Sequence, residues 1–535
     1  MRFYPIHMHL HCSHEQSASI ASHMSHAAAL GIKHIWTTEH DTRMGKKKKA
    51  IPLFYFPEKT LYVTLPNGAQ VGFKEEEGNN GYYAFEDTKK GIALLVGARE
   101  NKKESLYFYS KGKAHSDALF SRLTVEMNAD MVSLFAENGR IMVEFILSAQ
   151  PPSYTQARLS YVLGKMPDEE ENVQYLPMPT SQNGTYRFPL YIDASEKIGG
   201  VDNALCNIRL VVENGAEILF HTFSFKRELE FEEVRQEQIK LAQQLSKKWG
   251  VTPFVGFEIT GAGNHKNCYS TTVPVINYDK FDYKVSNEQA IEHVKKYGGI
   301  FSWNHPLSGH YKQDKTQEEC INALAEMLIA ARAYGATLME VGFPFGRDGF
   351  EVGHYMRLWD ILAKNGIFIT GDGDSDCHDA GADGWTEGNN FCTFAGLDDT
   401  DEPTEENFIK AFCRGSVWAG NPVKIKNLRF TCGDKPMGSV VVGKQATVQF
   451  ETKNVKDGGC AVWVVNGKEK AHMEFCDGKA FGEYTLHCEQ KYNFVRVEVY
   501  GVDGTLIAFS NPVYLVATQD DVPIEAVKNK RMESK

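Results

Sequence analysis

The opening of the chain sets the tightest constraint on its fold. After Phe3, the run Ile6-His7-Met8-His9-Leu10-His11 alternates with the period of a strand. That period sends His7, His9 and His11 to one face and Met8 and Leu10 to the other. An alanine-rich helical stretch follows from Ser17 to Gly31, with Gly31 as its C-terminal cap, and Ile32 to Thr38 reads as a second strand. Strand, helix and strand in this order make one unit of a parallel sheet. Its second strand leads into Glu39-His40-Asp41, at the edge where parallel α/β proteins gather their chemistry.

The pattern then breaks. From Lys46 to Leu229, strand-like runs such as Leu61 to Leu65, Ile141 to Phe145 and Ile208 to Val212 are separated by Gly, Asn, Pro and Ser turns. Residues 46–229 are therefore expected to form an inserted β-rich domain of sandwich type. Helical periodicity returns at Phe231 to Trp249, closed by Gly250. Strands and helices alternate again through Phe254–Thr260, Glu288–Tyr297, Gly299–Trp303, Glu318–Tyr334, Thr337–Val341, Tyr355–Lys364 and Ile367–Thr370. Residues 1–45 and 230–422 thus read as one discontinuous α/β domain. Short strands over 423–517 suggest a C-terminal β-sandwich, and the polar residues 518–535 read as a tail expected to fray.

Bulk properties narrow the function class. No window of about 18 apolar residues exists, which argues against a membrane span. No apolar signal segment precedes the first histidines, so a cytoplasmic location is the expectation. The net charge of −11 opposes nonspecific binding to nucleic acid or anionic membranes. Eleven cysteines without a C-x-x-C pair give no disulfide framework and read as free thiols, Cys12 and Cys377 packing beside the motifs described next.

Eight of the eighteen histidines fall within the first 40 residues. Two imidazoles two residues apart on a strand, about 6.5–7 Å along the backbone, converge on one metal. Further candidates recur at other strand ends: His40, Glu258 in Val255 to Thr260, His305 after Ile300 to Asn304, and Asp376 with His378 after Gly371 to Ser375. Solvated charges at strand ends are common, but imidazoles and carboxylates at five of them point to a transition-metal centre. Neutral imidazoles with a few carboxylates favour Zn, Mn or Fe over Mg, which prefers all-oxygen shells.

These residues form five motifs in order: His9-Leu10-His11, Thr38-Glu39-His40, Gly256-Phe257-Glu258, Asn304-His305-Pro306 and Ser375-Asp376-Cys377-His378. The series resembles the PHP (polymerase and histidinol phosphatase) superfamily over residues 1–45 and about 230–420. His7 stands where that family has Asp, and Glu39 replaces its usual Asp. His14 and Glu15 fall near, but not at, the spacing of one further ligand. The resemblance implies an α/β fold, a distorted (β/α)7 barrel, with two or three divalent ions at its mouth. It further implies that His9, His11, Glu258 and Asp376 hold one ion. Glu258 would bridge to a second held with His305 and His265, and His40 and His378 would serve a third.

The reaction expected from the resemblance is hydrolysis of a small anionic phosphate mono- or diester by water activated on the metals. Arg43 and Arg347 are the candidate anion clamps, and Asp41 is a candidate proton carrier beside the metals. A second reading is hydrolysis of a carboxyl or carbamate ester, as in a carbaryl hydrolase-like branch sharing Thr38-Glu39-His40-Asp41. A third is a non-catalytic binding module, which the retention of every ligand position disfavours.

Overall fold

The computed structural model describes residues 1–12, 18–44, 53–56, 58–64, 70–110, 122–134, 136–150, 155–199, 205–226, 228–261, 263–281, 285–308, 315–342, 349–378 and 391–531. The first strand, Arg2–Leu10, becomes fully buried from Ile6 onward. The helix Ile20–Ala29 begins on a reciprocal cap in which Ser19 and Ser22 exchange side-chain and backbone hydrogen bonds. It ends at Gly31, whose φ of +73° suits a residue without a Cβ. The chain then re-enters the sheet as His34–Thr37, parallel to the first strand with Ile6 opposite His34.

The inserted segment leaves and returns at one point. The backbone N–H of Phe231 donates to the Met44 carbonyl at 2.8 Å. Beyond it, the helix Glu232–Trp249 anchors the return through the buried guanidinium of Arg235, which donates to the carbonyls of Val255, Ser270 and Val273. Thr252–Val255 then pairs parallel with His34–Thr37, so residues more than two hundred positions apart lie side by side.

The expected distorted (β/α)7 barrel is corrected by the sheet topology. Among the described residues strands account for 43% and helices 23%, and the core strands divide between two sheets. One sheet, of mixed direction, holds Thr252–Val255, His34–Thr37, Arg2–Leu10, Cys392–Leu397 and Val417–Gly420, with Cys392–Leu397 antiparallel to the first strand. The other runs Phe257–Ile259, Lys266–Cys268, Phe301–Trp303, Leu338–Gly342 and Thr370–Gly373, and its first two pairings are antiparallel.

The physical reason is loop length. Six residues separate Ile259 from Lys266, enough for a hairpin and too few for the crossover that parallel neighbours require. The run Phe254 to Thr260, expected as one strand, breaks at Gly256. A Cβ there would lie 2.2 Å from the Cys268 carbonyl oxygen.

The inserted segment forms a seven-stranded and a six-stranded sheet around a core of its own. Along Arg140–Gln150 the odd residues Ile141, Val143, Phe145 and Leu147 enter that core. Towards the C-terminus, Val417–Gly420 pairs with Leu506–Ser510, so the first core sheet continues into Asn493–Gly501, Gly458–Val465 and Lys468–Glu474. A four-stranded sheet containing Leu428–Cys432 and Gln445–Thr452 packs against it, with Phe430 and Phe450 near Trp463. The described part of the tail, 518–531, is tied down rather than frayed. Arg531 is buried and donates to Thr370 Oγ1 at 2.6 Å and to the Gly438 carbonyl at 3.2 Å.

Candidate metal centre

Strand ends from both core sheets meet at one point. The His11 N–H donates to the Cys377 carbonyl at 2.8 Å, and the Cys377 N–H to the His9 carbonyl at 3.1 Å. On the other side of the first strand, Thr38 N–H donates to the Leu10 carbonyl and Glu258 N–H to the Glu39 carbonyl. These bridges bring motifs separated by up to 370 residues of chain to within a few ångströms of one another.

The side chains converge on Glu258 and Asp376. Glu258 Oε2 lies 2.7 Å from His40 Nδ1 and 3.7 Å from His11 Nε2, and Oε1 lies 3.0 Å from His265 Nδ1. Asp376 Oδ1 stands 3.1 Å from His11 Nε2 and 3.3 Å from His9 Nε2. His378 Nε2 is 3.4 Å from His40 Nε2, while its ring stacks on His11. His305 Nε2 stands further off, 3.7 Å from Glu258 and 3.8 Å from Asp376.

Ligand atoms within 4.8 Å of one another define the groups His11/His40/His378, His9/His11/Asp376, His40/Glu258/His265 and His9/Glu340/Asp374. Buried His, Asp and Glu groupings at metal-binding distance are therefore present. The site opens at His265, whose side chain is 35% exposed, while those of His9, His11 and Glu258 are fully buried.

The local electrostatics call for positive charge. Burial alone would raise the Glu258 carboxyl, but His265 and His40 together hold it well below the usual carboxylate range. Asp376 is held down in the same way, by His9 and His378 against the effect of burial. Conversely, burial would lower His11, yet its contacts with Asp376 and Glu39 lift it to about 9. His9 Nε2 and His11 Nε2 are buried and face the carboxylates of Glu258 and Asp376 without a hydrogen bond. Buried polar atoms in such a position carry a large desolvation cost that a coordinated cation would offset. The donor set fits a divalent transition metal.

The backbone is strained at the same place. His9, His305 and Asp376 adopt φ of +56°, +26° and +46°. Such conformations cost about 1–3 kcal/mol each in non-glycine residues and cluster where function imposes them.

Asp41 stands outside every one of these groupings. Its Oδ1 accepts from the Thr260 N–H and hydroxyl, and its Oδ2 from the Tyr278 hydroxyl at 2.6 Å. Burial raises its carboxyl to about 7. It therefore ties the turn after Glu39-His40 to the strand carrying Glu258. The side chain of Arg43, together with Arg347, His14, Glu15 and Lys46 to Lys49, lies outside the described residues.

Three buried carboxylates were not singled out from the sequence. Glu340 Oε1 lies 2.5 Å from His9 Nδ1, and Asp374 Oδ2 lies 4.0 Å from the same atom. Asp372 stands beside Glu340 in the strand register. Burial, reinforced by Glu340, raises both Asp372 and Asp374 well above the usual range. The signal was a lone carboxylate inside the apolar run Leu338-Met339-Glu340-Val341. Glu39, noted only as a replacement, caps its own loop by accepting from the Cys12 and His40 N–H groups, both at 3.0 Å.

No protein-family model matches the chain, and no curated protein matches it. Solved structures align with parts of it. A DUF3823 family protein from Bacteroides ovatus is 12% identical over 18% of this chain, with a TM-score of 0.13. The chain spans 55% of that protein's length. A carbohydrate-binding module specific for non-crystalline cellulose is 16% identical, covering 35% of this chain and 96% of its own, with a TM-score of 0.17. Among the described residues, no helix is long and apolar enough to cross a membrane.

Proposed function

We propose that the chain is a metal-dependent hydrolase related to the PHP superfamily, acting on a small phosphate mono- or diester through two or three bound Zn, Mn or Fe ions. One observation carries the reading. Imidazoles and carboxylates from five separate strand ends meet, with His9 Nε2 and His11 Nε2 buried and without hydrogen bonds. Surface acidic clusters arise without a ligand, but polar atoms buried like His9 Nε2 and His11 Nε2 are costly unless something is bound.

His9, His11 and Asp376 would hold one ion, with Glu258 beside both imidazoles. Glu258, His40 and His265 would hold a second, or His40 would instead pair with His378 on a third, since a neutral imidazole gives one lone pair to one ion. Divalent ions in such a shell polarise a substrate oxygen and make water a nucleophile near neutral pH. The chain's own contribution is to orient the donors and to bury His9, His11 and Glu258. Asn304 supports this by donating to Glu258 Oε1 at 2.8 Å, fixing the carboxylate between its imidazole neighbours.

Preference for a phosphoester rests on the resemblance of the five motifs. The test is a paired assay of the metal-loaded protein on p-nitrophenyl phosphate, bis-p-nitrophenyl phosphate and a naphthyl carbamate. Turnover of either phosphate is the expected outcome. Turnover of the carbamate alone would replace the phosphoesterase reading with the carbaryl hydrolase type, and no turnover of any would remove the hydrolase reading.

A further inference from the structure

We infer that Glu340 is a positioning residue of the metal centre, fixing the imidazole of His9 and the peptide of His305 at the same time. The inference rests on the metal-centre reading above and adds a residue to it. Glu340 is the lone carboxylate of the fully buried strand Leu338–Gly342. Its Oε1 lies 2.5 Å from His9 Nδ1, and its Oε2 accepts from the backbone N–H of His305. One carboxylate thus grips two of the expected ligands, which come from strands almost 300 residues apart.

Both gripped residues are backbone-strained, at φ +56° and +26°. A left-handed conformation in a residue carrying a Cβ persists only where its surroundings hold it. Glu340 contacts one such residue through its ring and the other through its amide. The orientation of His9 gives the grip a chemical consequence. With Nδ1–H donated to Glu340, the lone pair of Nε2 is directed towards Asp376 Oδ1 and Glu258 Oε1, 3.3 and 3.5 Å away. A carboxylate behind an imidazole in this way fixes the tautomer and makes the other nitrogen a better ligand.

The strand packing keeps Glu340 in place. Asp372 is its register partner on Thr370–Gly373, and Asp374 is wholly buried within the grouping that also holds His9. Glu340, Asp372 and Asp374 are all fully buried.

The test compares E340Q with the wild-type full chain by chelator competition for Zn and by the visible spectrum of the Co-loaded protein. A glutamine cannot accept from both N–H groups, because its amide end is a donor. The expected result is Zn affinity 10–100-fold weaker than wild type, with an altered Co spectrum in a folded protein. Equal affinity and an unchanged spectrum would overturn the inference while leaving the metal centre standing. Wild type that binds no Zn or Co would overturn both.

Should E340Q fail to fold, a crystal structure of the Zn-loaded wild type decides the matter. Coordination by His9 Nε2 with Nδ1 on Glu340 supports the inference. An ion bonded to Glu340 itself, or to His9 Nδ1, overturns it.

Discussion

Among single residues, Glu258 carries the most. Its carboxylate lies within 4 Å of His9, His11, His40, His265 and His305. Replacing it with Gln keeps the volume and removes the charge shared among those imidazoles. Disturbing an outer partner of a metal ligand costs about 10–100-fold in metal affinity, and E258Q is expected to exceed that range. A chelator titration of the folded variant checks it, and affinity within about threefold of wild type would remove Glu258 from the centre.

Much of this site was legible in the sequence because short motifs fix residue type and spacing together. His9 and His11, His40, and Asp376 with His378 are each read off two or three adjacent positions. Glu340 was not legible, since a single carboxylate inside an apolar strand has no spacing partner. Its role exists only through pairing with residues near 9 and 305. His7 shows the opposite limit. It shares the expected face with His9 and His11, yet the register shift after it and the positive φ of His9 break the alternation. His7 Nδ1 lies instead 3.5 Å from the Cys392 sulfur.

At the scale of elements, the runs that become strands are visible and their pairing is not. Apolar content marks Thr337 to Val341 as buried, but whether a neighbour runs parallel or antiparallel depends on loop length and on close approaches such as Gly256 against Cys268. The strand His34–Thr37 illustrates what packing then does to chemistry. His34 lies with its ring parallel to Phe254 at 6.2 Å and edge-on to Phe408 at 5.0 Å. Burial, with some repulsion from Lys33, lowers its pKa from 6.5 to about 4.

The fold therefore favours the neutral ring. The associated stability is fully present above pH 6.5 and is lost as the pH falls towards 4. The span corresponds to roughly 3 kcal/mol. In His34→Gln, which cannot ionise, the melting temperature is expected to fall less steeply between pH 6.5 and 4 than in the wild type. Parallel pH profiles for the two proteins would show the imidazole to be irrelevant.

For the whole molecule, the C-terminal strands are built into the core rather than appended to it. They extend the sheet of the first strand, and a buried ion network locks the join. Arg496 on Asn493–Gly501 reaches Asp360 Oδ2 at 3.0 Å on the helix Val352–Lys364 and also pairs with Glu498. Removing one partner of a buried pair leaves uncompensated charge and costs about 3–5 kcal/mol. Arg496→Met is expected to destabilise the protein by that amount in urea unfolding. A loss below 1 kcal/mol would mean that the two parts are joined by apolar packing alone.

The inserted sheets, in contrast, have a core of their own and, among the described residues, contribute none of the clustered ligands. The proposed metal centre therefore rests on the strand ends around Glu258 and Asp376. Elemental analysis of the purified full chain, after loading with Zn, Mn or Fe and removal of free metal, tests this most directly. Two or three tightly held ions per chain are expected, reduced by at least one in E258Q. Retention of less than about one-tenth of an ion per chain, with all three metals, would contradict it.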